Sequence, residues 1–311
     1  MQIFFAGLGI SLAYGILAFL LILCFEGKDF AQSFFKVYTS SFKTIISLGL
    51  ILGTALIIYY TQDEIPETIE NAFTKTQLKP KDEKEQGYEY YKRRFEDPAM
   101  SVRFSTYLIA VAFAIFWNCH FPLSGLGEAL MLIAVCAEYA FAVYVGRKLM
   151  NIGMMLHSLM TVDVPQNLFK DRKLDDINIY VNIASTLTII FVYVHFSVYY
   201  SAPFAYDRLV KSAQPFIIFL PLIATPVLLI FNFYPRKVLR KLYSQSIDLE
   251  IKNLKKALTD EKLKAFERRS HIIEFEKMSR DELRYNLQLT LTDLPIGITI
   301  LILILDSILK R

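Results

Sequence analysis

Two carboxylates interrupt a long apolar run near the middle of the chain: Glu128 close to its start and Glu138 nearer its centre. A charged group in a segment apolar enough for lipid is costly there, and usually faces a cavity, a water path or a polar partner. Asn118 and His120 sit near the end of the preceding apolar run, and His195, with Asn182, lies in the following one. An ion path lined by Glu138, with Glu128, Asn118, His120 and His195 nearby, is the chemistry these residue types support. The ordinary alternative is hydrogen bonding between packed helices, which accounts well for any single amide or imidazole. It accounts less well for Glu138, because a mid-run carboxylate is the harder group to place structurally.

Catalysis has no comparable constellation. A membrane hydrolase needs a nucleophile and a base within hydrogen-bond reach. Ser124-Gly125 is not part of a GxSG motif, and Glu128 and Glu138 are too far apart to form a paired acidic motif. The sequence contains no P-loop, GxGxxG or HExxH. Cys24, Cys119 and Cys136 all fall in apolar runs with no CxxC spacing, so neither a zinc site nor a disulfide framework is expected. The expectation is a protein that is not an enzyme and uses no metal or cofactor.

Basic residues mixed with aromatics form the third set. Tyr90-Tyr91-Lys92-Arg93-Arg94 could stack on and neutralise a nucleotide. Anchoring to anionic lipid headgroups needs only the same charges beside a membrane, and is the simpler reading. Arg236, Lys237, Arg240 and Lys241 form a similar cluster directly after an apolar run. DNA binding is not expected from either.

These residues are held by runs of apolar sequence separated by charged segments. Apolar residues make up 54% of 311, above what a soluble domain carries, and they are clustered. Six runs read as membrane spans, at about 3–25, 44–60, 105–121, 126–145, 177–200 and 215–234. A final run, 295–309, is short for a span and reads as a seventh span or a re-entrant helix. The first run lacks a basic region before it and a small-residue site at its end, so it reads as a retained span and not a cleaved leader. Pro221 and Pro226 predict a kink in the sixth run.

The expected fold is all-α: a polytopic transmembrane helical bundle of six or seven spans with a cytoplasmic helical hairpin or coiled-coil module. Five regions follow: two spans in 1–60, a cytoplasmic polar segment in 61–104, four spans in 105–234, the helical module in 235–294 and the C-terminal hydrophobic helix in 295–311. Residues 146–176 read as a connecting stretch. Within the module, Ile247, Ile251, Leu254 and Leu258 recur on one helical face. Leu263, Phe266, Ile273 and Met278 are the expected buried face of a second helix. Ser279-Arg-Asp-Glu282 is a capping box, and alternation at Leu287, Leu289 and Leu291 predicts a short strand. Residues 28–43 read as an amphipathic stretch that lies at the interface or extends the next helix.

Placing the N-terminus in the cytoplasm puts 27 of the 34 Lys and Arg in cytoplasmic segments and 5 in the outer loops. The reverse orientation inverts that split, against the positive-inside rule. The sixth run joins the basic module with no flexible linker. That layout predicts a pore, homo-oligomeric and set in membrane lipid, gated by the module, where a small molecule, a nucleotide or a partner protein would act. It is similar in plan to the membrane-permeabilising effectors of bacterial antiphage defence, which implies a bacterial inner or plasma membrane. Two other readings stay open: a secondary transporter or transporter subunit, and a non-transporting scaffold or sensor that binds a cytoplasmic partner.

Overall fold

A computed structural model describes residues 2–29, 31–32, 43–74, 78, 87–97, 126–160, 164–165, 168, 171–201, 230, 233–256, 269–274 and 276–277. Of the described residues, 88% are helical and none is in a strand, so the architecture is all-α as expected. Asn118, His120, Pro221, Pro226, the third and sixth apolar runs in large part, the capping box, the short strand and the last run lie outside the described residues.

Four long helices form the frame: α1 (Gln2–Phe25), α2 (Lys43–Tyr60), α5 (Leu126–Ser158) and α6 (Asp175–Ser201). Two short helices, α3 (Glu64–Ala72) and α4 (Tyr88–Glu96), lie between α2 and α5 in sequence. A seventh helix, α7, covers 233–256. Among the described residues, Phe5–Phe25 is the one helix long and apolar enough to cross a membrane by itself. Ile46–Tyr60 and Glu64–Ala72 meet the same test only as a pair, bent by 50°.

Glycine lets α1 and α2 meet closely. A Cβ on Gly7 of α1 would come within 2.5 Å of the Gly53 nitrogen and 2.7 Å of the Gly49 oxygen on α2. The two backbones therefore touch, which larger residues would forbid. Gly49 and Gly53 are spaced four apart and so share one helix face. Two buried threonine hydroxyls on the apolar helices are satisfied locally: Thr54 donates to Leu50 O and Thr188 to Ala184 O, each at 2.7 Å.

The helix ends alternate. At one end of the bundle, α1 stops at Gly27, whose φ of +95° suits glycine, and whose N–H returns to Ile22 O at 3.1 Å. Glu26 beside it accepts the Leu126 N–H, one of the open donors at the start of α5. One turn on, Tyr14 donates to Leu130 O. The C-terminal end of α2, the C-terminal part of α5 and the start of α6 meet at the opposite end, where α3, α4 and α7 also pack.

Two sequence expectations are corrected here, and two are filled in. The helix holding Glu138 does not end near 145 but continues to Ser158, so nearly half of the expected connecting stretch is helical. Its apolar positions Leu149, Ile152, Met155 and Leu156 are fully buried and keep it helical past the lipid-like run. The polar segment holds two helices: Ile65, Ile69, Ala72 and Phe73 give α3 one buried face, and Tyr88 and Phe95 do so for α4. Ile273, expected to be buried, is 59% exposed, and Ile272 beside it is exposed too. Of residues 28–43, the described 28–29 and 31–32 are helical.

Candidate functional site at the basic end of the bundle

The site grows from the C-terminus of α4. That helix starts after Gly87 and carries Arg93 and Arg94 in its last turn, where cations suit the helix dipole. Its last carbonyls need partners from outside the helix. Two residues three apart on α5 supply them. Lys148 Nζ donates to Phe95 O, and Asn151 Nδ2 donates to Arg94 O at 3.3 Å. Lys148 is completely buried, with Nζ 4.6 Å from the Phe95 ring centre and 5.6 Å from that of Tyr144. Gln62 Oε1, from the turn after α2, is 3.5 Å away. Burial, with Arg147 adding to it, pushes the Lys148 ammonium down to about 8.

α3 and α4 are clasped to each other as well. Lys92 Nζ lies 2.5 Å from Glu70 Oε1 and 3.8 Å from Glu96 Oε1. The Tyr88 hydroxyl donates to Pro66 O at 3.2 Å, with Glu70 Oε1 at 3.4 Å. The bond to Glu70 holds Lys92 above its ordinary value, and burial does the same for the Tyr88 phenol. Arg94 folds back on Tyr90, with Nη1 donating to the hydroxyl at 3.1 Å and Cζ 5.4 Å above the ring. Arg147 is held below its ordinary value by burial and by Arg94 nearby.

α7 closes the site. Val238, Leu239, Leu242, Tyr243 and Ile247 are buried at helical spacing, while Lys237 and Lys241 on the other face are exposed. Its first turn sits on α5, where Tyr234 stacks on His157 with ring centres 6.0 Å apart and donates to Met154 Sδ at 3.4 Å. Two turns on, Tyr243 donates to Asp175 Oδ1 at 2.9 Å and accepts the Leu174 N–H at 3.1 Å, at the start of α6. Ser246 then donates to Pro165 O at 3.1 Å. One helix thus holds the ends of both α5 and α6.

The expected site residues separate into two groups. Lys92, Arg93 and Arg94 on α4 and Arg236, Lys237, Arg240 and Lys241 on α7 lie at this end of the bundle. They are not one surface: Lys92 is engaged by Glu70 and Arg236 is 3% exposed, whereas Arg93, Lys237 and Lys241 are exposed. Glu138 lies well up α5 from this end and is buried, at 3% exposure. Glu128 falls in the first turn of α5 and His195 in the last third of α6. Lys148, Asn151, Gly153 and Tyr243 were not foreseen. The one available signal was a lysine directly after Arg147 in an amphipathic continuation of an apolar run. Among the described residues, no group of three His, Cys, Asp or Glu could hold a metal. No protein-family model matches the chain, and no curated protein or solved structure matches it.

Proposed function

We propose that the chain is a multi-pass membrane protein that assembles as a homo-oligomeric, gated pore, with α7 as the lever. The observation that carries this reading is the double attachment of α7. Its first turn rests on α5 through Tyr234 and Gly153, and Tyr243 holds the start of α6. A movement of α7 therefore acts on the ends of two apolar helices at once. The apolar run that precedes α7 in sequence carries Pro221 and Pro226, which supply a place to bend.

Several features support the membrane placement. Six apolar runs are legible in the sequence, and the alternation of helix ends matches the orientation that sorts the basic residues. At ~1.5 Å per residue, Arg147 and Lys148 fall roughly 30 Å from the start of α5, the thickness of a hydrocarbon core. Tyr59 and Tyr60 at the end of α2 are exposed and packed edge to face, as residues of a headgroup belt would be. Phe5, Ile16, Leu17 and Phe25 on α1 are exposed in the subunit, a face suited to lipid. Glu138, buried inside the subunit, supports an ion path within it or at its edge over a position turned to lipid. The plan shared with membrane-permeabilising defence effectors makes permeabilisation on a cytoplasmic signal the specific form proposed.

A second reading has its own observation. Leu249, Ile272 and Ile273 are exposed apolar residues, as a scaffold that binds a partner protein through its module would present.

Purified protein in planar bilayers tests the first reading. A pore gives single-channel current, and Glu138→Gln changes its ion selectivity. Saturable uptake of one solute without channel current would instead favour a transporter. No current and no uptake, with a binding partner lost on deletion of residues 236–283, would leave the scaffold.

A further inference from the structure

We propose that Lys148 is a charge-sensitive latch: inserted across the open end of α4, its protonation state sets how firmly the α3–α4 segment is held on α5. The geometry is that of a clasp. α4 has nine residues, too few to persist alone in water, so its helical form depends on what it is docked to. Lys148 and Asn151 of α5 donate to Phe95 O and Arg94 O, carbonyls the helix leaves open. Among the described residues Lys148 forms no ion pair. Its charge is met instead by a helix end, an amide oxygen and two ring faces.

A buried ammonium without a carboxylate bonded to it is an unfavourable guest, and the docked state relieves this by releasing its proton. The groups facing it are few. Arg147 on the same helix opposes its charge, while Asp97 and Glu96 at the end of α4 and Asp63 in the turn before α3 favour it from further away. Docked, the ammonium loses its proton near 8; undocked, in water, it keeps it until near 10.5. Between those values the undocked state holds more protons, so docking strengthens as pH rises. Below about 8 both states are protonated and the clasp is at its weakest. The neutral amine still donates to Phe95 O, so the bond survives loss of the charge. Two other groups of the segment are moved upward, away from this window. Lys92 and Tyr88 titrate above their ordinary values, and an arginine keeps its proton throughout. Acidification through pH 8 therefore loosens the segment and alkalinisation tightens it.

Amide hydrogen exchange on the full chain, with each rate divided by the intrinsic rate at its pH, reads the docking directly and needs no current. In the wild type, protection of the α4 amides should be flat from pH 6.5 to 7.5 and then rise by up to about tenfold per pH unit above 8. Lys148→Met keeps the stem but removes both the charge and the donor to Phe95 O, and should give protection with no slope. Lys148→Arg cannot lose its proton, and should give low protection with no slope. A wild type without a slope overturns the proposal, even if neither variant folds. So does a slope that persists in Lys148→Met.

Discussion

The ring of Tyr234 occupies the space that a side chain on Gly153 would need: a Cβ there would lie 2.5 Å from Tyr234 Cδ1 and 3.3 Å from Pro235 Cγ. α7 can approach α5 this closely only because position 153 has no side chain. Gly153→Val should lift the first turn of α7 and cost roughly 1–3 kcal/mol, the usual cost of overpacking. Thermal unfolding in detergent measures it. Tyr234→Ala placed on top of Gly153→Val should recover part of the loss, because the clashing ring is then absent. No recovery would place the damage elsewhere than in this contact.

The glycine contact between α1 and α2 is less forgiving. At Gly7 the obstructing atoms are backbone atoms of Gly49 and Gly53, which cannot rotate away as a ring can. Gly7→Ala should therefore destabilise the protein, by up to about 3 kcal/mol, although alanine is the better helix former. Gly9 has nothing within 4 Å of its Cβ position. Gly9→Ala should be neutral or stabilising by up to about 1 kcal/mol. Two alanines placed two residues apart with opposite signs in one thermal-shift experiment would establish which face of α1 meets α2.

Tyr243→Phe tests the hold of α7 on α6. The change removes the donor to Asp175 and leaves the Leu174 N–H without its acceptor. An unsatisfied buried donor costs about 1–3 kcal/mol, so the loss should exceed that of an ordinary exposed tyrosine hydroxyl. Ser246→Ala removes the donor to Pro165 O and should cost about 1 kcal/mol. Stability measures both. If the gating proposal holds, Tyr243→Phe also shifts the open fraction of the pore in bilayers, whereas Ser246→Ala does so less.

These contacts mark what a sequence can and cannot convey. The helical frame was legible because apolar runs and a single buried face, such as Ile247 and Leu254 of α7, repeat with the helix period. The extension of α5 was hidden because its pattern changes near Val145 from apolar all round to one-sided, which reads as an end when it is only a change of surroundings. Glu128 and Glu138 were visible as charges out of place. Lys148 was not, because a lysine after an arginine at the end of an apolar run reads as a membrane anchor. Its burial depends on Phe95 and Gln62, which come to it from α4 and the turn after α2. The pairing of Lys92 with Glu70 likewise joins two helices across 22 positions and leaves no periodic trace.

That pair gives a last prediction, with a sign opposite to that of Lys148. Glu70 raises Lys92, so the docked state binds its proton more tightly than the free segment does. Its contribution is fully present below the ordinary lysine value of 10.5 and is lost only as pH rises through the raised one. At pH 6.5–9 the pair therefore adds no pH dependence. Both side chains are partly exposed, at 23% and 36%, so solvent and salt screen the attraction. Glu70→Gln should cost no more than ~1 kcal/mol and lower α4 protection by the same factor at every pH in that range. Raising salt to about 1 M should weaken the wild type toward the variant. If Glu70→Gln instead changes the slope of protection with pH, Lys92 and not Lys148 is the group whose titration α4 protection follows.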